Sequence, residues 1–360
     1  MMSALQARWC ACQDSPHAGR FGPISWPLVP LWGIGRLNLA LAVAYVAWGF
    51  VHVLLSGLTA RPVGAIRDTW LGGRVLSAAG EGRGRMRIAI ATFSGTGNTA
   101  WVVDCLTQRL TALGDEVSDV AIERSPTGTL DANACDVLGL AFPVHASFAP
   151  KIVRDFIAGL PPTTGKPLFA VTTAGYVAGD TAWYAIRALT AKGYEPFVLA
   201  NVIVANNLRL PVLSPLPIPS PEEMEPRLGR AARKAHRIAD WVHQGERHVE
   251  GTGLFGRMLG VSQRLLAAPL EALAFQGFFA DESCIRCGWC VRHCPVGNIE
   301  MTEQGVRFLE HCILCMRCYS FCPEQAIQST ERTQNTERTQ NTERWPRYQG
   351  PKGKPYPEPR

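Results

Sequence analysis

Eight of the chain's twelve cysteines fall between residues 284 and 322, in two copies of one spacing, and no other feature restricts the fold so sharply. Cys284, Cys287, Cys290 and Cys294 precede Pro295; after sixteen intervening residues, Cys312, Cys315, Cys318 and Cys322 precede Pro323. Three thiols at i, i+3 and i+6 can be offered by one tight loop to a small inorganic core, whereas the fourth must come from elsewhere in the chain. The prolines lack an N–H and restrict φ, so they turn the backbone away after each fourth cysteine. Zinc sites also use four cysteines, but they do not call for three at three-residue intervals followed by Cys-Pro, twice over. A disulfide framework belongs to small secreted chains rather than to a 360-residue one with few other cysteines. The pattern points to iron and sulfur.

With the runs C-I-R-C-G-W-C-V-R-H-C-P and C-I-L-C-M-R-C-Y-S-F-C-P, the sequence closely resembles the bacterial two-cluster ferredoxins over residues 281–328. That resemblance implies a small α+β domain with two 4Fe-4S clusters, in which the fourth cysteine of each run serves the other cluster. One cluster would take Cys284, Cys287, Cys290 and Cys322; the other would take Cys312, Cys315, Cys318 and Cys294. Asn298–Met301 and Val306–Phe308 are predicted to form a hairpin, with Ala326-Ile327 as a matching edge. Ile285, Trp289, Ile313, Leu314, Met316 and Phe321 are expected to shield the clusters, whose potentials respond to burial and to hydrogen bonds at sulfur.

Upstream, residues 86–248 alternate strand and helix patterns. RIAIATF is a short apolar run, EVSDVAI alternates, and DVLGLAF and PLFAVTT are continuous apolar runs of the kind covered on both faces. A further strand is predicted at Pro196–Val204, with helices at Trp101–Leu113, Pro150–Ala158, Thr181–Lys192 and Glu222–Gln244. Alternation of this kind gives an α/β fold with a doubly wound parallel sheet, which binds ligands beyond the carboxyl ends of its strands. Ser94-Gly95-Thr96-Gly97-Asn98-Thr99 follows the first strand and opens the first helix. Its glycines admit a phosphate to the backbone, and a helix N-terminus presents N–H groups to it. It has neither the lysine of a nucleotide-triphosphate loop nor the spacing of a dinucleotide loop. A hydroxyl-rich, lysine-free loop suits a phosphate monoester such as that of FMN; an ordinary capped helix start is the alternative.

On this loop the domain resembles flavodoxin, and residues 86–328 together resemble the flavodoxin–ferredoxin fusions among iron–sulfur flavoproteins. The resemblance implies a five-stranded sheet in order 2-1-3-4-5 and two further loops beside a flavin ring. These are Pro143-Val144-His145, after the third strand, and Thr173-Ala174-Gly175-Tyr176, after the fourth. His145 and Tyr176 are candidates to line or stack on the ring, with Phe148 as a substitute. Asn206–Arg209 leads into a proline-rich loop that would hang over the flavin end of the sheet, expected as a solvated linker with a lid or a docking surface as the alternatives. Residues 249–280 are expected to be a helical linker packing the two domains together, with a membrane-surface helix as the alternative.

Two expectations stand for residues 1–85. Leu37–Ala60 has no Asp, Glu, Lys or Arg, and as a helix it would reach about 36 Å, enough to cross a bilayer. Flanking arginines would then leave the redox domains on the cytoplasmic face. Alternatively, the protein begins at Met86 and the upstream part is an over-extended reading frame. The thrice-started T-E-R-T-Q-N repeat and the five prolines of Trp345–Arg360 place residues 329–360 in a disordered tail, with a docked Trp345 or Tyr348 as the alternative. Cys105 and Cys135 read as small core residues. A net charge of +6, without a basic face, argues against nucleic acid. Labile clusters and free thiols suit the cytoplasm.

The function that follows is electron transfer between two 4Fe-4S clusters and FMN, in a flavin-dependent oxidoreductase acting on an unidentified partner protein or small molecule. A non-catalytic carrier docking to a partner oxidoreductase is the alternative. A ferredoxin beside an empty flavodoxin-like docking module is a third reading.

Overall fold

The computed structural model describes residues 85–125, 130–131, 134–208, 217–274, 277–329 and 347–353, excepting the side chains of 266–274. The described residues all belong to one compact unit. The apolar stretch 37–60, most of the proline-rich loop and the repeats lie outside them. Among the described residues no helix is long and apolar enough to cross a membrane.

Four apolar runs and one alternating run become the parallel strands β1 (Arg87–Thr92), β2 (Glu116–Ala121, the alternating one), β3 (Val137–Pro143), β4 (Lys166–Ala174) and β5 (Tyr194–Ile203). A two-residue strand, β6 (His248–Val249), extends the sheet, whose order is β2-β1-β3-β4-β5-β6. This is the flavodoxin-like order with one more edge strand than the five expected. β6 pairs Val198 with His248 and Leu199 with Val249. Its anchor lies in the side chains around it: Glu250 accepts from the backbone N–H of Asn201 at 2.9 Å, and His248 stacks on Trp241 at 3.6 Å.

β3 is buried along nearly its whole length, as its unbroken apolar sequence requires for a strand covered on both faces. Helices α1 (Asn98–Ala112) and α4 (Pro221–Gln244) cover one face, packing Val102, Leu106, Leu110, Ala235, Ile238 and Val242 on Ile88, Ile90 and Val198. Helices α2 (Lys151–Gly159) and α3 (Thr181–Ile186) cover the other, packing Val153, Phe156 and Ile186 on Leu138, Leu140 and Leu168. Each buried Val, Leu, Ile or Phe among them contributes about 1.5–3 kcal/mol of burial.

α4 opens on a capping box. Ser220 Oγ accepts from the N–H of Glu223, the Glu223 carboxylate accepts from the N–H of Ser220 at 2.9 Å, and Pro221 occupies the first helical position. Ser220→Ala is expected to destabilise the domain by about 1 kcal/mol, read from denaturant unfolding; an unchanged midpoint would show that the box contributes nothing.

Beyond the sheet, α5 (Leu254–Ala274) is one continuous helix through Pro269. Asp180 and Arg264 pin it to the domain in a buried two-pronged ion pair at 2.6 and 3.1 Å. The cysteine-rich segment contributes β7 (Phe278–Ala280), α6 (Trp289–His293), β8 (Ile299–Thr302), β9 (Gly305–Phe308), α7 (Arg317–Phe321) and β10 (Ile327–Ser329). β8 and β9 form the expected antiparallel hairpin, but β10 pairs with β7 rather than with that hairpin. Residues 347–353 depart from the expected disordered tail: Arg347 and Tyr348 are buried, the tyrosine 2% exposed.

Candidate functional site

β1 is the first strand laid down and has neighbours on both sides, so the chain leaves it in one direction to β2 and returns past it to β3. The loops after β1 and β3 therefore diverge at their carboxyl ends and open a crevice. The cleft found there is lined by Ser94, Gly95, Thr96, Asn98, Thr99, Pro143, Val144, His145, Thr173, Ala174 and Gly175. Those are the residues the sequence nominates, with two exceptions. Gly97 caps α1 in the left-handed region, at φ 103°, without lining the cleft. Tyr176 turns outward, 37% exposed, its hydroxyl donating to the carbonyl of Pro217 at 3.1 Å.

The cleft walls carry no Lys, Arg, Asp or Glu among the described residues. Ser94 Oγ accepts from the N–H groups of Gly97 and Ala100, both at 3.2 Å, which holds the loop against the start of α1. Thr99 and Thr173 share a hydroxyl hydrogen bond at 2.7 Å, tying the first loop to the strand that carries the third. Asn207 donates to Thr96 Oγ1 at 2.7 Å. A phosphate monoester fits this setting: a glycine in the left-handed region, a helix N-terminus and hydroxyls, with no side-chain cation. His145 is pushed down to about 4 by burial, helped by the positive charge of Arg154, so it faces the cleft as a neutral imidazole.

Phe148 does not take the ring-stacking place; it packs edge-on to Tyr184 at 6.0 Å. Ala146, Ala205, Asn206, Asn207 and Leu208 complete this side of the cleft. The start of the expected solvated linker is thus part of the wall. Sequence reasoning also missed Leu314 and Cys315, which line the same cleft from the cysteine-rich segment. Gly95 makes their approach feasible, because a Cβ there would meet the carbonyl oxygen of Cys315 at 2.4 Å.

The eight cysteines divide into two sets around two cavities. Cys284, Cys287, Cys290 and Cys322 line one; Cys294, Cys312, Cys315 and Cys318 line the other. All eight are free thiols. Among the described residues no group of three or more His, Cys, Asp or Glu is gathered as a site for a single metal ion. A ring of four thiols about a cavity suits a core larger than one ion. The two loops match in backbone as well as in sequence. Arg286 and Gly288 in the first run, and Leu314 and Met316 in the second, all have positive φ, as do Gly297 and Gln325 after each Cys-Pro. The N–H of Asn298 donates to Cys294 Sγ at 3.1 Å and that of Ala326 to Cys322 Sγ at 3.3 Å, bonds that favour thiolate ligands. Burial, the largest cause, raises the thiols of Cys290 to about 11 and Cys312 to about 12. Loading a metal core must therefore expel protons from them.

The first set is open on one side: Cys287 is exposed and Ile285, at 63% exposed, does not give the expected shielding, whereas Trp289 lines the cavity. The second set is enclosed by Ile313, Leu314 and Met316, all under 9% exposed, and abuts the cleft. The end of the chain straps these parts together. Arg347 donates to the carbonyls of Tyr319, Gln325 and Ile327, while the Tyr348 hydroxyl donates to Asn98 Oδ1 at the start of α1.

Residues 277–323 match the family model of the 4Fe-4S dicluster domain. A comparison with curated protein sequences finds no match to the chain. Among solved structures, a flavodoxin of Streptococcus pneumoniae TIGR4 is 19% identical and is matched over 43% of this chain and 97% of its own, with a TM-score of 0.28. The Megasphaera elsdenii flavodoxin is 23% identical over 41% and 98%, with a TM-score of 0.28. An azoreductase from Bacillus anthracis is 9% identical over 44% and 99%, with a TM-score of 0.32.

Proposed function

We propose that this chain, a flavodoxin-like domain joined to a 4Fe-4S dicluster domain, is an iron–sulfur flavoprotein oxidoreductase. It would hold two 4Fe-4S clusters and one FMN. When bound, the clusters supply single-electron transfer, and FMN supplies one- or two-electron chemistry at one ring. Cys284, Cys287, Cys290 and Cys322 hold the outer cluster, where exposed Ile285 and Cys287 give a redox partner access. Cys294, Cys312, Cys315 and Cys318 hold the inner one, which Ile313 and Met316 close off from water. The loop from Ser94 to Thr99 binds the phosphate, and His145, Gly175 and Leu208 border the ring.

One observation carries this reading: Leu314 and Cys315, the latter in the inner set, line the very cleft that the phosphate loop opens. A ferredoxin merely appended to an empty docking module would have no reason to place a ligand-bearing loop in that wall. Eight free thiols suit a reducing compartment such as the cytoplasm.

Anaerobic purification is expected to give about eight iron, eight sulfide and one FMN per chain. Iron without flavin would instead support the docking-module reading. Turnover of a small-molecule acceptor with no protein partner present is the result expected of an oxidoreductase. Reduction that leads to no turnover with any such acceptor would make the protein a carrier.

A further inference from the structure

Arg317 is a half-buried arginine that touches both modules, and the reading above gives it no task. It lies between Cys315 and Cys318 at the start of α7. Its guanidinium donates to the carbonyl of Ser94 at 2.7 Å and to that of Gly95 at 3.1 Å, both in the phosphate loop. It also donates to the carbonyl of His293, the residue before Cys294, at 3.0 Å, and pairs with Glu123 at 2.9 Å. Apart from the Glu123 pair, its hydrogen bonds go to two loops: the one that opens α1 and the one that carries Cys294.

A trans peptide is planar, with its carbonyl and the following N–H directed oppositely. Drawing the oxygens of Ser94 and Gly95 toward Arg317 therefore turns the N–H groups of Gly95 and Thr96 the other way. Both residues line the cleft, and backbone N–H groups are what a phosphate needs where no lysine or arginine lines the wall. We infer that Arg317 is a positioning residue: from the inner-cluster loop it orients the phosphate-loop amides, so that retention of the flavin phosphate is coupled to an ordered cluster loop. The guanidinium does this from behind the loop, since it does not itself line the cleft. Such coupling is reciprocal, so a bound phosphate also favours the ordered cluster loop.

The inference rests on the flavin reading, and comparing FMN with riboflavin separates the two. Riboflavin has the same ring and no phosphate. The full chain carrying its clusters is stripped of flavin anaerobically and titrated with each, the quenching of flavin fluorescence giving Kd. In Arg317→Gln the FMN Kd is expected to rise about tenfold or more, the scale of a lost charge-assisted hydrogen-bond set, with riboflavin changing less than about twofold. Because Arg317→Gln strands the Glu123 carboxylate, the double variant Arg317→Gln/Glu123→Gln is titrated beside it. Iron content reports whether the clusters remain.

With iron retained in either variant, a selective loss of FMN supports the inference. FMN and riboflavin weakening together, or neither weakening, overturns it. Loss of iron from both variants also overturns it, by making Arg317 a support of the cluster alone. Wild-type protein that binds neither flavin sinks the flavin reading itself and this inference with it.

Discussion

On the two-cluster reading proposed above, Cys294→Ala is expected to remove about four of eight iron atoms and to leave the flavin unreduced by a one-electron donor that still reduces the remaining cluster. Cys294 belongs to the first run by sequence, yet its thiol lines the cavity of the second set, and Cys322 does the converse. Removing it should therefore take away the inner cluster, the one beside the cleft. Cys284→Ala should lose a similar amount of iron from the outer set while the inner cluster and its contact with the flavin persist. Iron assay, low-temperature electron paramagnetic resonance and flavin absorbance on the two variants decide the matter. If Cys294→Ala behaves like Cys284→Ala, the crossed arrangement is wrong.

Gly95→Ala should part the modules where they meet. The new Cβ would lie 2.4 Å from a backbone carbonyl of the cluster loop, and backbone cannot swing aside as the end of a long side chain can. Overpacking of this kind costs about 1–3 kcal/mol, or a fall of roughly 2–10 °C in the melting temperature of a domain this size. Flavin should be held less firmly too, because the displaced loop includes part of the cleft wall. Gly253→Ala is the matched control, since an added Cβ there meets nothing within 4 Å. Thermal melts of the holoprotein, followed by both flavin fluorescence and cluster absorbance, read the effect. A Gly95→Ala protein that melts with wild type and keeps its flavin would mean that the two modules do not depend on this contact.

The sheet was legible because its evidence is local. Continuous apolar runs such as Val137–Phe142 read as strands buried on both faces, and the spacing of the cysteines announces their chemistry without help from the fold. β6 was not, because two residues carry no periodicity; its place comes from Glu250 reaching back to Asn201. That Ser94–Thr99 lie together at the end of β1 was legible too, since a strand, a glycine-rich turn and a helix follow one another directly. Tyr176 was misplaced because an aromatic residue in a ring-side loop can turn either way, and here the carbonyl of Pro217 receives its hydroxyl. Leu314 and Cys315 were invisible as cleft residues for a different reason. Their approach depends on contacts such as Arg317 with Gly95, 222 positions apart, and no window of sequence spans them.

The strap formed by Arg347 and Tyr348 has a practical consequence for anyone handling the molecule. Shortening the chain at the repeats would also withdraw the phenol that hydrogen-bonds Asn98, exposing apolar surface on α1 and loosening the mouth of the phosphate loop from behind. Weak flavin retention in such a shortened preparation would therefore report on how the chain was cut rather than on what it binds.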